Sequence, residues 1–110
     1  MKNQWTGIGR LGKDPELKTL EGGKAMATVS LATSERWQDA QGEWQERTQW
    51  HNLVFWGKAA EYFARNYKKG YLVDVTGLLE YREYDNTEGN KVRTSQIRVE
   101  RVIKLDNGRS

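Results

Sequence analysis

The most regular feature of the chain is period-two alternation. In "AMATVSLATS", residues 25–34, Ala27, Val29, Leu31 and Thr33 alternate with Met26, Thr28, Ser30 and Ala32, the pattern of a strand with one face on a core. "TQWHNLVFWG", residues 48–57, sends His51, Leu53 and Phe55 to one face and Trp50, Asn52, Val54 and Trp56 to the other. The first set suits a core. The second mixes two indoles with an amide, so something flat is expected to lie against it, either more protein or a ligand. Between these strands, the polar "ERWQDAQGEWQER", residues 35–47, is expected as a loop that carries Trp37 and Trp44. Its tip at Gln41-Gly42 makes the pair a long hairpin.

Elsewhere, residues 2–11 read as a first extended run that ends in the turn "GKDP", and residues 16–20 continue it after a kink. After Gly57 the period changes, with Ala59, Tyr62, Phe63, Asn66 and Tyr67 on one side of a helix over 58–69. Lys68 and Lys69 suit the negative end of its dipole, and Gly70 suits a left-handed stop. "YLVDVTGLLEYREY", residues 71–84, is a long strand with Val73, Val75, Leu79 and Tyr81 inward and Asp74, Thr76, Glu80, Arg82 and Tyr84 outward. "DNTEGNK" turns the chain into a last strand over 92–105, where Ile97, Val99 and Arg101 alternate with Gln96, Arg98, Glu100 and Val102, and Ile103 and Leu105 extend the apolar face. Three strands, one helix and two strands is the order of an OB-fold, an all-β, five-stranded Greek-key barrel with a helix between strands three and four. In that fold, strands two and three and their loops bind oligonucleotides or oligosaccharides. Residues 1–105 are expected to form this domain and 106–110 a short C-terminal extension.

Composition narrows the chemistry. The chain has 110 residues, enough for one domain with a modest core. No apolar stretch is long enough for a transmembrane helix, and "MKNQWTGIG" lacks the order of a secretory signal. A soluble protein is expected, cytoplasmic and nucleoid-associated or in an organellar matrix, without a membrane partner. With no cysteine and a single histidine, His51, neither disulfides nor a conventional zinc site is available. No metal or cofactor is expected. Eighteen basic residues against 15 acidic ones give a net charge of +3, which names no partner by itself. Five Trp and five Tyr are more than so small a core needs.

"GIGRLGKDPELK" at 7–18, "VSLATSERW" at 29–37, "TQWHNLVFWGKAAE" at 48–61 and "YKKGYLVDVTGLLEYREY" at 67–84 together resemble successive signatures of bacterial and organellar single-stranded DNA-binding protein. The resemblance covers about residues 3–105. It implies sequence-independent binding of single strands during replication, recombination and repair, by homotetramers built as pairs of dimers. The stacking positions it implies are Trp37, Trp50, Trp56 and Tyr84. Family members often carry Phe at the position of Trp56 and Trp at that of Tyr84. The mechanism is physically apt, because every base has a π-face that an exposed ring can hold whatever its identity. Trp44 has no trusted counterpart in the family, although an exposed loop indole can catch a base.

Phosphates need cations near those rings, and Arg10, Lys13, Lys18, Arg36, Arg47, Lys58, Arg82 and Arg93 are candidates by strand face or loop position. Asn52 stands where the family commonly has Arg, and Glu80 where it is often basic; both weaken phosphate contact. Trp5 lies on the first strand, through which the family dimerises, so core or interface is its expected place. His51 is expected as a hydrogen-bonded structural histidine at the core or subunit boundary. An enzyme is disfavoured, because the acidic residues are interleaved with Lys and Arg and form no constellation with a nucleophile or metal. The competing reading is a primosomal-type OB-fold accessory protein that binds single strands and recruits a partner. A purely structural oligomer would leave Trp50 and Trp56 indifferent to DNA. Bacterial members usually append a flexible linker and an acidic tip that recruits other enzymes. Here "VIKLDNGRS" follows the last strand, which leaves open a short form, a trimmed core and the protein partners.

Overall fold

A computed structural model describes residues 2–108. Its elements are β1 (Trp5–Leu11), β2 (Glu16–Thr19), β3 (Ala25–Gln38), β4 (Trp44–Trp56), α1 (Lys58–Asn66), β5 (Leu72–Asp85) and β6 (Lys91–Asp106). The sheet runs β1-β5-β6-β4-β3, and β1 returns to β3 through Arg10↔Ala32 and Leu11↔Leu31, closing a five-stranded barrel. The second half of the expected first strand is β2. It adds to the start of β3, from Glu16↔Thr28 to Thr19↔Ala25, after the turn that contains Gly12 and Pro15. Parallel pairing of Leu53↔Ile97 and Val54↔Arg98 joins β4 to β6. This is the OB-fold, with α1 between the third and fourth barrel strands.

The barrel interior takes one face of each strand: Leu11, Val29, Leu31, Leu53, Phe55, Val73, Val75 and Ile97 are all buried. Helix α1 closes one end, where Phe63 stacks on Phe55 at 3.8 Å and Tyr67 on Phe63 at 4.6 Å. Truncating such a residue typically costs about 2–5 kcal/mol. At Gly77 the backbones of β5 and β6 approach so closely that a Cβ would lie 2.4 Å from the Arg98 carbonyl oxygen. Pairing shifts by a residue there, between Thr76 and Gly77, which is how a strand bends around a small barrel.

Several expectations are corrected. Residues 35–47 are mostly strand: β3 and β4 stay paired out to Gln38↔Trp44, and only 39–43 form the turn. The helix stops at Asn66, with Tyr67 extended at φ −119°, and the chain beyond it is tied to the turn after β1, the Lys69 N–H donating to the Asp14 carboxylate at 2.9 Å; Arg65, rather than Lys68 or Lys69, occupies the last turn. Gly70 is left-handed at φ 89°, but in the following turn, where its N–H donates to the Leu11 carbonyl. The buried face of the helix is Ala60 and Phe63, followed by Tyr67, and Tyr62 is exposed. Tyr81 keeps the inward parity of Val73 and Val75, yet is exposed, because β5 and β6 run on past the barrel as a projecting hairpin with no core beneath it. Ile103 and Leu105 are exposed, Ile103 opposite Asp74 and Leu105 at the register shift near Leu72 and Val73. Strand β6 reaches Asp106, so the expected extension begins inside a strand, and residues 109–110 lie outside the described residues.

Candidate nucleic-acid interface

Residues directly opposite in an antiparallel ladder share a face. From this rule, Trp44, Glu46, Thr48, Trp50, Asn52, Val54 and Trp56 of β4 face the same way as Gln38, Arg36, Ser34, Ala32, Ser30, Thr28 and Met26 of β3. The ladder continues outward to β2 through Lys18↔Met26 and Glu16↔Thr28. Trp50 is 63% exposed. Its ring leans across Ser30 onto Gly12, where a Cβ would meet Cζ3 at 2.4 Å and Ser30 Oγ at 2.7 Å. Only a residue without a side chain leaves room for this pose. Trp56 is half-buried, with the Lys24 ammonium 4.7 Å from its ring centre. Val54 departs from its neighbours and is buried at 5% exposure, because β3 and β6 flank it on both sides with Thr28 and Arg98.

Between the two indoles the β3–β4 and β5–β6 hairpins meet in a groove of about 360 Å³, lined by Lys13, Ser30, Asn52, Arg82, Thr94 and Gln96 among others. Asn52 Nδ2 donates to the Ser95 carbonyl at 3.4 Å, tying the hairpins together across it. Gln96 also lines a second groove of about 480 Å³ with Lys24, Trp56, Glu80 and Arg98, so the two adjoin at this side chain. Glu80 does not stand free there. Its carboxylate accepts from Gln96 Nε2 at 3.3 Å and pairs with Arg98 at 3.4 Å. Lys13 pairs with Glu16 at 3.4 Å in an exposed bridge, a contact that solvent screens. Tyr84, opposite Val92, shares the face of Arg82 and Glu80 and is exposed.

Other expected site residues lie elsewhere. Trp37 pairs with Gln45 on the reverse face of the hairpin, 5.8 Å from the Arg47 guanidinium, which itself bonds to Glu35 at 2.9 Å. Arg93 covers Tyr81 at 4.2 Å on the reverse face of the other hairpin. Arg10 is held at the far end of the barrel by Asp106 at 3.0 Å and by the Gly70 carbonyl; that guanidinium holds the Asp106 carboxyl below the usual range. Lys58 opens α1 and lines a pocket with Phe55, Tyr62 and Val102 that shares Val99 and Glu100 with the Trp56 groove. Trp5 and His51 do come together, with ring centres 4.9 Å apart and Thr33 Oγ1 2.9 Å from His51 Nε2. They sit at the start of β1, whose residues before Arg10 pair, among the described residues, only with β5. Burial lowers the pKa of His51.

Two further side chains bear on this face. Lys24, expected in a turn, is brought within reach of the Trp56 indole by the Met26↔Trp56 pairing. Trp44, expected on a loop where an exposed indole can catch a base, lies on β4 in phase with Trp50 and Trp56.

An aromatic strand face thus opens on a polar, cationic groove of an OB-fold barrel. The single-strand binding protein family matches residues 2–105. The chain belongs to that family. Among curated relatives, the single-stranded DNA-binding protein of Neisseria meningitidis is 41% identical over 103 residues, 94% of this chain and 59% of that protein. Single-stranded DNA-binding protein 1 of Chlorobaculum tepidum is 42% identical over 91 residues, 82% of this chain and 56% of that protein. This family member thus spans under three-fifths of the length of these two relatives. Among solved structures, Plasmodium falciparum SSB in complex with ssDNA superposes with a TM-score of 0.89 at 31% identity, covering 96% of both chains. A deletion mutant of the single-stranded DNA-binding protein from Thermus aquaticus gives 0.84 at 30% identity, covering 96% of this chain and 51% of that one.

Proposed function

We propose that this chain binds single-stranded DNA without sequence preference, stacking bases on Trp50 and Trp56, and so protects single strands during replication, recombination and repair. The observation that carries the reading is the pair of indoles on one strand face, beside two adjoining grooves, one lined by Lys13 and Arg82 and the other by Lys24. Each stacked base contributes roughly 1–3 kcal/mol whatever its identity, and cations along the groove follow the backbone. Asn52, Ser30, Thr94 and Gln96 add neutral hydrogen-bonding groups, and Tyr84, Lys18 and Arg36 extend the same face. Trp37 with Arg47 offers a further ring on the reverse face, which a strand reaches only after leaving the groove. Assembly follows from the open edge of β1, where a second copy can add its own β1 beside Trp5 and His51, and two such dimers make a tetramer.

Titration of intrinsic tryptophan emission with oligo(dT), beside a duplex of equal length, tests the reading. Quenching by oligo(dT) that weakens with added salt is expected, with far weaker response to duplex, whose base faces are already stacked. Unchanged emission and no mobility shift at low salt would sink it. Light scattering on the same samples is expected to return a tetramer; a stable dimer would favour the partner-recruiting type of OB-fold.

A further inference from the structure

Trp44, Trp50 and Trp56 recur along β4 at intervals of six positions. An even interval keeps them on one face, about 20 Å apart at ~3.3 Å per residue. Trp44 is as exposed as Trp50, each at 63%. Arg36, from the neighbouring strand and the same face, lies 5.3 Å from its ring centre. The tip that carries this pair is held in place: the Asp39 carboxylate accepts from the N–H groups of Gln41 and Glu43 and from Gln45 Nε2, at 2.9, 3.0 and 3.0 Å.

We propose that Trp44 and Arg36 form an outer stacking platform that lengthens the DNA track along the β3–β4 hairpin beyond Trp50. The inference rests on the single-strand reading of the groove, with which the platform shares one strand face. The occupant is a continuous single strand, because Thr48 and Ser34 between the platforms are small and polar and present nothing for an apolar protein partner. Glu46 is the one acidic group on that stretch, and Arg36 is its direct ladder partner. Arg36 covers one side of the indole and leaves its exposed surface to a base.

Affinities of the wild type, Trp44→Ala, Trp44→Phe and Trp50→Ala are measured against oligo(dT) of graded length, from about 4 to 16 nucleotides, the range such a barrel occupies. Trp44→Ala is expected to match the wild type on the shortest oligomers and to fall about five- to a hundredfold behind on the longest, the stacking contribution of one base. Its affinity plateaus at a shorter length, and Trp44→Phe restores most of the loss. If Trp44→Ala matches the wild type at every length while Trp50→Ala binds weakly throughout, the platform is overturned and the groove stands. If neither variant changes binding, the groove reading fails with it. A Trp44→Ala loss that is equal at all lengths, or a change in oligomer mass without a change in binding per protomer, assigns the indole to folding or assembly and also overturns the proposal.

Discussion

Gly12→Ala reports on the stacking face without touching any aromatic residue. An added Cβ would lie 2.4 Å from Trp50 Cζ3 and 2.7 Å from Ser30 Oγ, whereas carbon atoms rest comfortably at about 3.5–4.0 Å. The indole must therefore retreat by ~1 Å or more to restore contact distance. The backbone needs no change. Gly12 is not among the glycines with positive φ, and its N–H, which donates to the Ser30 carbonyl at 2.9 Å, is unaffected by a methyl group. What yields is the far end of the mostly exposed Trp50 side chain and the Ser30 hydroxyl, which turns about its Cα–Cβ bond, so the barrel itself is left intact.

Pushing a ring about 30° off its rotamer costs of order 0.5–1.5 kcal/mol. If the strand needs the present pose, that cost is met on binding, and affinity for oligo(dT) falls by about two- to tenfold, less than Trp50→Ala, which removes the whole stacking contribution of ~1–3 kcal/mol. Melting should move little, because the entropy that Ala removes from the unfolded chain, about 0.4–1 kcal/mol, offsets residual crowding. The assays are fluorescence anisotropy with labelled oligo(dT), near-ultraviolet circular dichroism for the indole, and a thermal melt. A changed near-ultraviolet spectrum with unchanged affinity would refute Trp50 as a stacking residue. An unchanged spectrum would show that its ring does not rest on Gly12.

Two further outcomes separate face from core and fix the sign of a pH effect. Trp56→Ala is expected to weaken oligo(dT) binding by roughly 1–3 kcal/mol with an unchanged melt, whereas Leu53→Ala, fully buried between β3 and β6, should cost about 2–5 kcal/mol of stability and affect binding only as the protein unfolds. Normal binding by Trp56→Ala together with early melting would move that indole into protein packing. Burial lowers the His51 pKa in the folded state, so on acidification the unfolded chain takes up its proton first. Its contribution is full above the unfolded value of about 6.5 and is lost as pH falls through the folded value. Melting temperature should therefore fall over that window, and His51→Gln should flatten the slope; a slope that persists in the variant places the titrating group elsewhere.

The barrel was legible wherever one strand face is buried. Ala27, Val29 and Leu31, like Leu53 and Phe55, carry their burial in their alternation, and the order of elements then leaves few topologies. The hairpin arms beyond the barrel carry no such signal. Residues 35–38 and 44–47 are exposed on both faces, and they are strands because the ladder begun by Leu31↔His51 and Val29↔Leu53 extends outward without a break. Tyr81 shows the converse: its parity was correct, but parity says nothing about where the barrel ends. At the helix the local signals of Lys68, Lys69 and Gly70 lost to tertiary packing. Helix α1 ends earlier, and the Lys69 and Gly70 N–H groups donate to the Asp14 carboxylate and the Leu11 carbonyl instead.

The site divides along the same line. Trp50 and Trp56 could be placed from sequence because their phase is set by Leu53 and Phe55, buried on the opposite face of their own strand. Trp37 and Trp44 could not, since an assumed loop breaks the phase; once pairing is continuous, Trp44 joins Trp50 and Trp37 turns away. The cations were the least legible. Lys13 and Arg82 reach the groove, whereas Arg10 and Arg93 end against Asp106 and Tyr81. Each depends on which distant strand lies alongside, and a long flexible side chain takes its partner from that neighbour. Lys24 makes the point most sharply, because nothing in "EGGK" suggests a ring contact. The indole beneath it arrives only through the pairing of Met26 with Trp56. Alternation thus fixes which rings a strand can offer, while the charges beside them depend on contacts between strands far apart in the chain.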